Sequence, residues 1–193
     1  MDALMDAEIR RRVEQYVKPL YAGLDGVQTF DRIDRLRTHL AAIRSDDPSG
    51  TAVDESFLEL LLLLHGAADR LGSLAPGGRL DLFLRGLGLS EDLVRKVRTA
   101  LGRFRDDPRR PEEELLHDAL LLESAGVVAA AERLMAAGKK RTPIGRVLAQ
   151  LDPGPPAERY RTRHGAALGA ARRRDAEAWI EDLRRRAAED GLS

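Results

Sequence analysis

Histidine and aspartate are the residues of this chain whose types and positions could carry proton chemistry. His65 lies in the apolar run LELLLLLHGA, and His117 directly precedes Asp118 in a second apolar segment. A neutral histidine exchanges a proton near pH 7 and can act as a general base or a general acid. A lone histidine in an apolar helix is also commonly a core residue that hydrogen-bonds a neighbour. Both interpretations of His65 stand at this point.

Composition restricts the remaining chemistry. The chain has no cysteine, which excludes disulfides, thiolate nucleophiles and cysteine-ligated zinc or iron–sulfur sites. Its 32 basic and 32 acidic residues give a net charge of zero, which argues against a nucleic-acid partner. The N-terminus lacks the residue order of a signal peptide, and the longest apolar run, Leu60 to Leu64, is too short to span a bilayer. We therefore expect a cytoplasmic protein with no membrane partner.

Helical periodicity runs through almost all of the chain. Aromatic residues make up only 4% of it, so leucine and alanine, both strong helix formers, must fill the core. We predict an all-α fold with one domain over residues 1–193, an N-terminal helix and lead-in at residues 1–28, and a C-terminal helix packed on the domain at residues 157–190. The predicted helices are 4–17, 30–43, 54–71, 80–87, 90–104, 111–124, 126–137, a short one opened by Thr142-Pro143, and 157–190.

Local signals set the ends of these helices. Pro19 should stop the first helix, Asp54 and Ser90 should act as N-caps, and DPGPP at residues 152–156 is the clearest break. Apolar residues of the second helix share one face: Ile33, Leu36, Leu40 and Ile43.

The last helix carries three further patterns. Acid–arginine pairs four residues apart predict a solvated outer face, namely Arg173 with Glu177, Glu181 with Arg185, and Arg186 with Asp190. Gly165 and Gly169 would allow a close approach by another helix of the same chain. Trp179, Leu183 and Ala187 form an apolar stripe that should dock on the domain.

Four segments, taken in order, resemble the HD-domain family of metal-dependent phosphohydrolases. RIDRL at residues 32–36 resembles the family's first metal-binding helix, and LLHGA at residues 63–67 stands where the family has its His-Asp dyad. Residues 90–104 and 114–126 are similar to the later helices that line its pocket. The RTPIGR tail at residues 141–146 also fits. The resemblance covers about residues 30–190 and implies a compact HD-domain-like helical bundle.

The resemblance also implies that most metal ligands are missing. The family gathers His, His-Asp and Asp from three helices around a divalent metal. At the matching positions stand Arg32, His65, Gly66 and Asp118. Arginine stays protonated and offers only donors, and glycine has no side chain. We therefore expect no metal and no cofactor, and a divergent metal-dependent phosphohydrolase is the third choice of function.

The first choice is then a metal-independent pocket that binds a small anionic metabolite. In this interpretation Arg32 and Arg103 bind the anion, while His65 and Asp118 handle protons. Elimination, rearrangement or cyclisation would suit such a site better than hydrolysis. The alternative is a non-catalytic pseudoenzyme, a scaffold or regulatory subunit with a protein partner or as a homodimer. A buried Asp118 would then pair with Arg32 in place of the lost metal.

A rival alignment takes His117-Asp118 itself as the family's dyad. That alignment needs His39 or His65 as the upstream ligand and an acid such as Asp152 downstream. The spacing would be long, and the match that begins at Asp118 would be lost.

Overall fold

The computed structural model describes residues 7–21, 30–45, 52–66 and 74–191, and every regular element in these ranges is helical. This confirms the predicted all-α fold and its long C-terminal helix. The helices are α1 (Ala7–Tyr21), α2 (Arg32–Arg44), α3 (Glu55–Leu64), α4 (Arg79–Gly86), α5 (Glu91–Arg103), α6 (Pro111–Glu123), α7 (Gly126–Lys139), α8 (Ile144–Gln150) and α9 (Arg163–Glu189), with a 3₁₀ helix (Ala157–Arg159) before α9. No helix among the described residues is long and apolar enough to cross a membrane.

Short-range signals predicted the caps correctly. The Asp54 carboxylate accepts the Phe57 N–H at 3.0 Å, and the Ser90 hydroxyl accepts the Leu93 N–H at 3.3 Å. Each of these bonds satisfies one amide that the first turn of a helix leaves without a partner. The predicted apolar face of α2 is also confirmed, because all four of its residues are buried: Ile33, Leu36, Leu40 and Ile43.

The predicted ends of α1 and α3 were wrong. α1 continues through Pro19 to Tyr21, because a proline in the last turn removes only one helical hydrogen bond. α3 ends at Leu64 instead of continuing through Gly66. In a continuing helix the Gly66 N–H would donate to the Leu62 carbonyl oxygen, but that oxygen is bonded to the His65 side chain. The Gly66 N–H donates instead to the Tyr21 hydroxyl at 3.1 Å. The predicted starts and ends at residues 4–6 and 67–71 lie outside the described residues.

The prediction of one continuous helix over residues 157–190 was also wrong. The 3₁₀ helix ends at Arg159, and α9 begins only after Thr162, whose hydroxyl accepts the Gly165 N–H at 3.0 Å. The side chain of Thr162 thus caps the new helix. The break at residues 152–156 is confirmed. Of the predicted arginine–acid pairs in α9, the one between Arg173 and Glu177 is present at 2.8 Å.

The described helices fall into two compact units. Unit 1 comprises residues 1–38 and 48–117, and unit 2 comprises residues 39–47 and 118–193. The prediction of a single domain stays a prediction.

Unit 1 is built around α3. This helix packs against α1 and α5, and α4 packs against α5. Seven consecutive or near-consecutive apolar residues of α3 are buried, from Phe57 to Leu64, which confirms the prediction of a buried helix. The carboxylate of Asp81 in α4 ties α4 to α5 because it accepts from Arg98 at 2.9 Å.

Unit 2 is built around α7 and α9, which pack along each other, while α8 contacts both. Small buried residues of α7, Gly126, Ala129 and Ala130, let the helices approach closely. Trp179 of α9 packs against the buried cluster of Ala130, Leu151 and Ile180. This packing confirms the predicted docking role of Trp179.

Candidate functional site

His65 occupies a core position at the end of α3. It is 1% exposed, and its Nδ1 lies 2.6 Å from the Leu62 carbonyl oxygen. A carbonyl oxygen only accepts, so Nδ1 carries a proton. The Tyr21 ring packs against the imidazole with its centroid 6.4 Å away. The proton-transfer role of His65 stays a prediction.

Arg103 is engaged by a buried carboxylate of the same unit. Its Nε and Nη2 donate to the two oxygens of Glu113 at 2.9 and 2.7 Å, and Glu113 is 0% exposed. The Arg109 N–H donates to the same carboxylate at 2.9 Å. The hydrogen bonds and charge of Glu113 raise the pKa of Arg103. The two donors that a bidentate anion would need are therefore already in use, which weakens the predicted anion-binding role of Arg103.

Asp118 is 0% exposed and holds the chain segment that leads into α9. Its Oδ1 accepts the Arg161 N–H at 2.8 Å, and its Oδ2 accepts the Thr162 N–H at 2.8 Å and the Thr162 hydroxyl at 2.7 Å. These three bonds satisfy the buried carboxylate within unit 2, so a guanidinium is not required to explain its burial. Arg32 is half-buried at the start of α2 in unit 1, and its predicted pair with Asp118 stays a prediction.

The rival alignment, which takes His117-Asp118 as the dyad and Asp152 as the downstream acid, gains no support from the contacts of His117 and Asp152. His117 Nδ1 lies 3.1 Å from the Phe104 carbonyl oxygen, and the Asp152 carboxylate accepts the Gly154 N–H at 2.8 Å inside the DPGPP turn. Within residues 7–21, 30–45, 52–66 and 74–191, no group of three His, Asp or Glu side chains is placed to hold a metal ion.

Unit 2 contains a polar cluster that the sequence analysis missed. It consists of Tyr160, Arg172, His39 and Asp118 and is called the Tyr160 cluster below. The Arg172 guanidinium is half-buried, donates to the Leu122 carbonyl oxygen at 2.8 Å, and has Nη2 3.3 Å from His39 Nδ1. It forms no ion pair with a carboxylate in the described part of the chain. Burial lowers the pKa of Arg172.

Tyr160 is the buried hydroxyl of this cluster. It is 7% exposed, and among the residues that the structure describes its Oη has no hydrogen-bond partner. Burial raises the pKa of Tyr160 to about 12, the charge of Asp118 acts in the same direction, and Arg172 opposes them. A buried hydroxyl without a partner is costly in a folded protein. The cluster therefore contains an unused donor, the Tyr160 hydroxyl, and a cation, Arg172, that pairs with no carboxylate among the described residues.

The burial of Tyr160 makes a test by alkaline titration possible. The folded state disfavours the phenolate, so the stability linked to neutral Tyr160 is complete below the ordinary pKa of 10.0 and is lost as pH rises towards 12. In a tyrosinate absorbance titration of the folded protein, the component removed by Tyr160→Phe is expected near pH 12. If the component that Tyr160→Phe removes titrates near pH 10 instead, the burial of this hydroxyl is contradicted.

Only part of this cluster left a signal in the sequence. Gly165 and Gly169 predicted a close approach, and the approach is intramolecular, but the neighbours are side chains and not a helix. A Cβ at Gly165 would overlap the Asp118 carboxylate, and a Cβ at Gly169 would overlap the Tyr160 ring. Nothing in the sequence marks Arg172 among the other arginines.

Comparison with protein-family models, curated proteins and solved structures gives no match to this chain. The similarity to the HD-domain family therefore stays a prediction from the sequence alone.

Proposed function

We propose that this chain is a metal-independent, HD-like helical protein that binds a small anionic metabolite through Arg172 and Tyr160. The observation that carries the proposal is the half-buried Arg172 guanidinium, which has no carboxylate partner among the described residues. Partly desolvating a cation is unfavourable unless an anion or several acceptors compensate it. Apart from His39 Nδ1, the Leu122 carbonyl is its only acceptor there, so a bound anion would supply the missing charge.

The cluster fits an oxyanion by its donors. The guanidinium matches the geometry of carboxylate, phosphate and sulfate oxygens. A tyrosine is protonated at neutral pH, and burial raises the pKa of Tyr160 further, to about 12. Its hydroxyl is therefore a donor, and in this proposal it gives the same ligand a second hydrogen bond. The anion site of this proposal thus consists of Arg172 and Tyr160. The predicted anion-binding role of Arg32 stays a prediction.

A non-catalytic role, as a scaffold or regulatory subunit, is the second candidate. It is favoured by the contacts of Asp118 and Arg103, whose hydrogen bonds serve packing within their own units. Turnover by elimination, rearrangement or cyclisation would require Asp118 to give up those bonds. We therefore propose ligand binding as the primary activity.

Thermal unfolding in the presence of anions tests this proposal. Inorganic phosphate, sulfate, acetate and succinate are compared with chloride at equal ionic strength. At a concentration of about 100 times Kd, a bound anion should stabilise the fold by about 2.7 kcal/mol. Arg172→Met is expected to abolish the stabilisation, and Tyr160→Phe to weaken binding about fivefold, since one hydrogen bond contributes about 1 kcal/mol.

Arg174→Met is the matched control, because Arg174 is exposed on the same helix. It should keep the full response to the anion. The proposal is wrong if no anion stabilises the wild-type protein, or if Arg174→Met loses the response as completely as Arg172→Met does.

A further inference from the structure

Exposed large apolar side chains are concentrated in one segment of unit 2. Among the described residues, three of the four lie between positions 128 and 144: Val128 is 73% exposed, Met135 61% and Ile144 38%. The fourth, Leu82, belongs to unit 1. Single exposed apolar residues are ordinary on protein surfaces, but here two lie on α7 and the third begins α8, the next helix in the chain.

The apolar residues of α7 share one face. Val128 and Met135 are seven residues apart in α7, which is close to two full turns. The buried residues Gly126, Ala129 and Ala130 lie on the other side of the helix. Ile144 begins α8 only a short turn after α7 ends at Lys139, so it lies near the C-terminal end of α7.

Two charges flank Met135 on the same face. Glu132 and Lys139 are also seven residues apart in α7, and neither forms an ion pair with any residue that the structure describes. If a second copy of α7 lies antiparallel to the first, with a two-fold axis near Met135, Glu132 faces Lys139 of the partner subunit. The two-fold symmetry repeats this pair on the other side of the axis. A parallel partner would place like charges opposite each other.

The same antiparallel arrangement also brings the apolar residues of the two copies together. Val128 of one copy then reaches the C-terminal end of the partner's α7, where the partner's Ile144 lies. The two Met135 side chains meet near the axis. One arrangement therefore pairs both the apolar residues and the charges, which favours a second copy of this chain as the occupant of the surface.

We propose that the Val128–Met135 face of α7 is a self-association surface on which two copies pair in antiparallel orientation about a two-fold axis near Met135. An interface made of one helix from each copy buries less than the roughly 800 Å² per partner of a standard stable complex. Association is therefore expected in the micromolar range. This inference does not depend on the proposed anion site.

Sedimentation equilibrium of the full chain tests the proposal over concentrations from about 5 to about 500 µM, a range that brackets micromolar dissociation constants. The wild-type average mass should rise from that of the monomer towards twice that value. M135E should remain a monomer, because two like charges would meet at the axis. L82E, a change at an equally exposed apolar residue of unit 1, should behave like the wild type.

Charge reversal gives a second, independent readout at two surface residues. E132K and K139E should each remain monomeric, because each replaces both attractive pairs by repulsive ones. An equimolar mixture of the two should associate again, and so should the double variant E132K/K139E. Circular dichroism and thermal unfolding of each variant establish that it is folded.

The proposal is overturned if the wild type stays a monomer throughout this range, which is also the result expected if a different protein covers this face. It is equally overturned if association survives M135E, or if the mixture of E132K and K139E fails to associate when the wild type does.

Discussion

Asp118→Ala is expected to lower the free energy of unfolding by about 4 kcal/mol. The substitution removes a fully buried carboxylate that accepts from the Arg161 and Thr162 amides and from the Thr162 hydroxyl. The two amides, whose bonds to Asp118 are partly buried, would lose this acceptor. Urea unfolding followed by far-ultraviolet circular dichroism measures the effect as a lower midpoint at an unchanged slope.

Two further variants make this measurement specific. Asp118→Asn keeps the shape and one carbonyl oxygen, so it should cost about half as much. Asp182→Ala removes a half-exposed acid of α9 that pairs with Arg186 at 2.7 Å, and should cost less than about 1 kcal/mol. A cost below about 1 kcal/mol for Asp118→Ala would mean that the contacts of this carboxylate contribute little to folding. Asp118 would then again be the leading candidate for proton transfer.

Arg103→Ala is expected to lower the free energy of unfolding by about 3 kcal/mol. Glu113 is 0% exposed, and without the guanidinium only the Arg109 N–H remains as a donor among its described contacts. The loss should disappear in large part when Glu113 is also replaced by alanine, because the uncompensated buried charge is then gone. A double-mutant cycle in urea measures this coupling.

The matched control is Arg95→Ala on the same helix. Arg95 pairs with Asp92 at the surface, where the two side chains are 69% and 82% exposed, and its loss should change stability by less than about 0.5 kcal/mol. If Arg103→Ala were equally mild and also abolished stabilisation by anions, Arg103 would be a ligand-binding residue and not a structural one.

Helices and caps could be predicted because they depend on residues close together in the chain. Asp54 and Ser90 each bond an amide three residues ahead, and Arg173 reaches Glu177 one turn away. Pro19 shows the limit of such rules, because a proline in the last turn of α1 does not end the helix.

The contacts of the predicted site residues could not be read in this way. Arg103 meets Glu113 across a turn between two helices, and Asp118 meets the Arg161 amide 43 residues later in the chain. Arg172 and Arg173 are both half-buried in α9, but Arg173 pairs with Glu177 whereas Arg172 contacts His39. Contacts of this kind depend on tertiary packing and cannot be predicted from the residue type or from the local sequence pattern.

The close packing of α9 on Asp118 and Tyr160 restricts how this chain can change in evolution. Alanine at Gly165 or Gly169 would raise helix propensity by about 1 kcal/mol, yet its methyl group would overlap a bonded carboxylate or an aromatic ring. Selection should therefore retain both glycines together with Asp118 and Tyr160, while the arginine-rich outer face of α9 diverges freely. These four positions form a fingerprint by which distant homologues of this chain can be recognised after overall sequence identity has faded.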